Sequence, residues 1–134
     1  MGIAYLHCMM SVAAIYHLPP RVLPVIQAVE GGNIGNVRQN TDGTQDLGIM
    51  QVNTRWLWPI SRYTHTPVAV VYRNLIGNSC YNISAAGAIL RTYLNETHGD
   101  LMQAVGNYHS HTPKLNAAYQ AQVLVFAQQL FSSR

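Results

Sequence analysis

Apolar residues recur at helical spacing along most of the chain and alternate as in a strand almost nowhere. Residues 5–16 read as a first helix. Pro19-Pro20 stops it, and Pro20 is expected to open a second helix at the position where its missing N–H costs nothing. Leu23, Ile26 and Glu30 follow at helical spacing. Residues 31–48 are rich in glycine and polar side chains, with Asn40-Thr41-Asp42-Gly43 as a turn signal, and leave room for a small β-hairpin. Apolar density suggests helical turns over 54–63 and 67–75, and 100–108 reads as another short helix. Two long helices are marked by stripes: Ile83, Gly87, Leu90 and Leu94, then Leu115, Tyr119, Val123, Phe126 and Leu130. Both stripes read as core. Thr112 and Pro113 read as N-cap and first helical residue. The expectation is one mainly α domain over residues 1–134, long enough to bury a core, with an irregular or hairpin region after Glu30.

No apolar run reaches the 18 or more residues of a membrane-spanning helix. The apolar opening stretch, 1–16, has no basic beginning, is interrupted by His7, and leads into Leu18-Pro19-Pro20 rather than a small-residue cleavage site. It reads as part of the fold, so an export signal is not expected within this sequence. Hydrophobic residues make up 49% of the composition and charged residues 10%, well below the roughly 25% usual in soluble domains. Each ionised side chain is therefore informative. The formal charge of +3 is spread thinly, without the clustered basic face of a nucleic-acid binder.

Two cysteines, Cys8 and Cys80, stand far apart and in no metal-binding spacing; arithmetic leaves a disulfide and two buried thiols equally open. His109-Ser110-His111 has no carboxylate or cysteine at ligand spacing, so no metal is expected, nor any other cofactor.

Of the five carboxylates, Glu30 has the position best suited to chemistry. It ends an apolar helical face and precedes Gly31-Gly32. The negative end of the helix dipole and apolar surroundings both disfavour its charge, which is what a general acid needs. The ordinary alternative is a helix-terminal Glu fraying into water. Gly48-Ile49-Met50-Gln51-Val52-Asn53 then supplies small and amide residues that let backbone approach a sugar and offer it donors and acceptors. Asp46 reads either as a carboxylate across a cleft from Glu30 or as a loop cap, and Asp42, beside Gly43, as a turn residue.

Four blocks together resemble the lysozyme-like lytic transglycosylases, especially the small ones attached to secretion and conjugation machines. They are His17-Leu18-Pro19-Pro20 with Ala28-Val29-Glu30-Gly31-Gly32, the run from Asn40 through Asp46 to Asn53, Asn78-Ser79-Cys80-Tyr81-Asn82-Ile83 with Ala86-Gly87-Ala88-Ile89-Leu90, and Ala104-Val105-Gly106-Asn107-Tyr108-His109-Ser110. Gly31 stands where most relatives have Ser, and His109 where many have Asn.

The resemblance implies a lysozyme-like α+β fold with Glu30 as catalytic acid and base. Gly48, Met50, Gln51, Asn53, Asp46 and Tyr108 would bind the substrate, and Cys8 would be bonded to Cys80. The implied substrate is peptidoglycan, cut between N-acetylmuramic acid and N-acetylglucosamine with a 1,6-anhydro product. Hydrolysis through Glu30 and Asp46 is the competing outcome, and a non-catalytic glycan-binding role in assembly is the third. The implied setting is a bacterial periplasm or envelope. The protein would work as a monomer, beside secretion or conjugation proteins.

Overall fold

The computed structural model describes residues 3–132; Met1 and Gly2, which begin the apolar opening stretch, lie outside the described residues. Seven α-helices and one three-stranded sheet form among the described residues. The first helix, α1, covers Leu6–Tyr16, and His17 ends it in the left-handed region. The second, α2, covers Val22–Glu30. Pro20 does not open it: it lies in the preceding turn, where Val22 N–H donates to the Pro19 carbonyl. The proline inside the first turn is Pro24, at a position whose N–H has no intrahelical acceptor anyway.

The expected hairpin gains a third strand. β1 (Val37–Gln39) pairs antiparallel with β2 (Gln45–Leu47), which pairs with β3 (Val52–Asn53). The β1–β2 turn is the one that Asn40-Thr41-Asp42-Gly43 signals. Asn40 N–H donates to the Thr44 carbonyl, and the Asp42 carboxylate accepts both the N–H and the hydroxyl of Thr44. A 3-10 turn at Thr54–Trp56 leads into α3 (Leu57–Thr64) and α4 (Val68–Gly77).

The long helix α5 (Ser79–Glu96) is the hub. Ile83, Gly87, Leu90 and Leu94 recur along it every three or four residues and are buried, as the stripe predicts. α1, α4 and α6 (Leu101–His109) pack around it, and α7 (Pro113–Phe131) closes over α2 and α6. Cys8 and Cys80 are joined in a disulfide that ties α1 to the start of α5, with Cα atoms 5.8 Å apart. Closing a loop of 72 residues stabilises by about 4 kcal/mol in the chain-entropy account.

The α7 stripe needs correction. Leu115 and Leu130 are 49% and 38% exposed, while Asn116 is buried beside Tyr119 and Val123. Asn116 takes the inward place because its amide is satisfied there, donating to Asn107 Oδ1 and to the Ser110 carbonyl. Thr112 does precede α7, but its side chain makes no cap bond; its own N–H is taken by Ser110 Oγ. Among the described residues, no helix is long and apolar enough to cross a membrane.

Candidate active site

Glu30 is the last residue of α2, and the buried side chains of Val22, Leu23 and Ile26 fix the helix that carries it. Gly31 N–H closes the helix on the Gln27 carbonyl. Gly32 then runs against the loop after β2 so closely that a Cβ there would strike the carbonyls of Gly48 and Ile49. This contact turns the end of α2 toward the sheet. The Glu30 side chain keeps only 11% exposure, so it does not fray into water.

That loop is held from below by Asn82, which is fully buried on α5. Its Oδ1 accepts from Met50 N–H at 2.9 Å, and its Nδ2 donates to the carbonyls of Leu47 and Leu75, both at 2.8 Å. Gly48 sits against Asn82 with φ +68°, and any side chain there would collide with both that amide and the Leu75 carbonyl. Gln51, also in the left-handed region at φ 53°, donates through Nε2 to Asn36 Oδ1 and the Gly48 carbonyl. Its Oε1 is buried without a partner. Tyr108, from α6, donates its hydroxyl to the Met50 carbonyl at 2.9 Å.

These elements border a cleft of about 190 Å³ whose lining includes Glu30, Asp46, Gln51, Asn53, Trp56 and Tyr108. One wall is a connected polar surface. Asn53 Nδ2 donates to Asp46 Oδ1 and Thr44 Oγ1, while Asn53 Oδ1 accepts from Arg55. Trp56 packs edge-on to Tyr93 with ring centres 5.9 Å apart. The cleft thus offers carboxylates, amides and hydroxyls beside aromatic edges, the mixture that a polyhydroxylated ring requires. Among the described residues, no group of three or more His, Cys, Asp or Glu side chains is arranged to hold a metal.

Tyr119 of α7 donates to Glu30 Oε2 at 2.7 Å. His109 stacks flat on the Tyr119 ring, 4.9 Å between centres, which fixes the phenol. Arg38 on β1 reaches both carboxylates, 4.0 Å from Glu30 Oε1 and 3.6 Å from Asp46 Oδ2, and its side chain is 57% exposed. Burial raises the Glu30 pKa from 4.5 to about 7; the Tyr119 hydrogen bond opposes this, the Asp46 charge adds to it, and Arg38 opposes it weakly. Burial first, and the Glu30 charge second, push the Tyr119 phenol well above its ordinary range, so it stays a donor. Burial does the same for Tyr108.

These opposing influences have testable signs. Tyr119→Phe removes a donor that favours the carboxylate, so the Glu30 midpoint should move above 7. Asp46→Asn removes a negative neighbour and should move it down. A carbon-NMR titration of the Glu30 carboxyl reads both shifts directly; movement of the two variants in the same direction would contradict this account.

Of the residues singled out in the sequence, Glu30, Asp46, Gln51, Asn53 and Tyr108 meet in the cleft, whereas Gly48 and Met50 shape the loop beneath it. Asp46 is held by a side-chain amide and Arg38 rather than by backbone amides. Tyr108 bonds the loop, and the phenol on Glu30 belongs to Tyr119. Tyr119, Arg38 and Asn82 carry no site assignment in the sequence reading. Tyr119 left a signal: a tyrosine on a buried stripe needs a partner for its hydroxyl.

The family model described as the transglycosylase SLT domain matches residues 7–122, a span that includes Glu30, the 48–53 loop, Tyr108 and Tyr119. No curated protein matches the chain.

Proposed function

The chain belongs to the transglycosylase SLT domain family, and from that premise we propose that Glu30 cleaves the MurNAc-β-1,4-GlcNAc bond of peptidoglycan as acid and then as base. The observation that carries this reading is a shielded carboxyl at the edge of a polar cleft, its pKa raised by burial to about 7. In the first step neutral Glu30 protonates the glycosidic oxygen, the bond from that oxygen to the muramyl anomeric carbon breaks, and the GlcNAc C4 hydroxyl departs. Tyr119 steadies the carboxylate that remains. In the second step the carboxylate takes the proton of the muramyl C6 hydroxyl, whose oxygen closes on the anomeric carbon. The product is a 1,6-anhydro end, no water is consumed, and Glu30 is neutral again.

Asp46 supports the anhydro outcome by being engaged elsewhere, with Asn53 on one oxygen and Arg38 beside the other. Hydrolysis would instead use it as the second carboxylate of a retaining glycosidase. Gln51 lines the cleft beside Glu30. We assign the site of action to the bacterial envelope, as the disulfide suits an oxidising compartment, and the task to local wall opening for a secretion or conjugation machine, as the sequence resemblance implies.

Mass spectrometry of purified sacculi after digestion tests the reaction. Anhydro-muramyl ends are expected; reducing muramyl ends would transfer the reaction to the hydrolytic class, and intact sacculi that still bind the protein would leave a glycan-binding role.

A further inference from the structure

A second groove, about 420 Å³, opens between α3 and α5 and meets the cleft at Trp56 and Ile89, which line both. Its chemistry differs from that of the cleft. Small α5 residues, Ala85 and Ala88 among them, form the floor, and Ile60, Tyr63 and Tyr81 form the walls. No carboxylate or carboxamide side chain lines it, and its one cation is Arg91. Arg91 Nη1 is tethered to the carbonyls of Tyr16 and His17 at the end of α1, while its Nε and the Tyr81 hydroxyl have no partner.

The groove has the hydroxyls of Thr64, Ser84 and Thr92 in its lining but none of the carboxylates and carboxamides of the cleft, so a saccharide would pair fewer of its hydroxyls there, at about 1–3 kcal/mol for each left buried and unpaired. The groove suits a chain rich in methyl groups that ends in a negative charge. Peptidoglycan, the substrate in the reading above on which this step rests, carries such a chain: the short alanine-rich peptide on each muramyl unit, with its carboxylates. We propose that the α3–α5 groove binds the stem peptide of a muramyl unit whose glycan lies in the cleft, with Arg91 facing a peptide carboxylate. Trp56 then stands at the branch, with sugar on one side and peptide on the other.

The test compares glycan strands of equal length that bear stem peptides with strands stripped of them by an amidase. The wild-type protein should cut the stem-bearing strands with kcat/KM higher by about tenfold, equivalent to about 1.4 kcal/mol. Ala88→Trp, which fills the groove floor, should remove that preference while keeping the rate on stripped strands. Tyr63→Ala, at a side chain 80% exposed, provides a second variant that spares the fold and should weaken the preference. Equal wild-type rates on the two substrates would overturn the proposal, as would variants that slow both substrates alike. If neither strand is cut, the reaction assigned to the cleft fails instead. Co-sedimentation with the same strands then decides the groove: a stem preference that Ala88→Trp abolishes supports it, and no preference refutes it.

Discussion

Glu30→Gln is expected to give a folded protein that cuts sacculi at least about 10³-fold more slowly, because one group supplies both the acid and the base and each role is worth roughly 10²–10⁴. The fold should survive, since a glutamine oxygen can still accept the Tyr119 hydroxyl that now meets Oε2. Stability should even improve at high pH. The Glu30 pKa in the folded protein, about 7, lies above its ordinary value of 4.5, so between those values the folded state holds a proton that the unfolded chain has lost. The resulting penalty is absent below pH 4.5 and complete above about 7. At about 1.4 kcal/mol per pH unit it amounts to about 3 kcal/mol. The glutamine variant carries no such penalty, so its advantage in Tm over wild type should widen from pH 4 to pH 8. A variant that digests sacculi at wild-type speed would end the assignment of Glu30. A constant Tm difference would mean that the carboxyl is less shielded than its 11% exposure implies.

Asn82→Ala should act first on stability, and on activity only through the loop that Asn82 anchors. It strips partners from Met50 N–H and from the carbonyls of Leu47 and Leu75. Leaving such buried groups unpaired costs about 1–3 kcal/mol each, so a loss of roughly 3–9 kcal/mol is expected for the three, against a total stability of roughly 5–15 kcal/mol for a typical domain. Urea unfolding measures it as a fall in midpoint. The loop would also lose its anchor below Gly48, and with it the carbonyl of Met50 that Tyr108 bonds, so activity should fall even where the variant stays folded. A destabilisation below about 1 kcal/mol would show that water replaces the amide without cost.

The long helix α5 was readable because it hides a stripe at a period of three to four, whereas α3, which buries no side chain, was legible only from apolar density. The hairpin was readable from one Asx-type turn. Long-range pairing was not. Asn82 stands on the buried face of α5 and looks like an isolated polar residue until the three backbone groups it serves are seen. Arg38 is an exposed arginine on a three-residue strand, and no local pattern marks it as the cation between two carboxylates. Tyr119 was legible as core, but the hydroxyl that decides its role points at a residue from the other end of the chain. Pro20 misled because two prolines in the first stretch of a helix region compete for one function, and the turn took Pro20 while the helix took Pro24.

The bond between Tyr119 and Glu30 spans 89 positions, so the site depends on order of synthesis. A growing chain presents Glu30 long before α7 exists, and at that stage the carboxyl is an ordinary surface acid without its phenol, its shielding or its retained proton. A chain whose last helix has not yet packed therefore lacks the phenol that meets the Glu30 carboxyl. The arrangement around Glu30 is complete only when α7 has closed over α2.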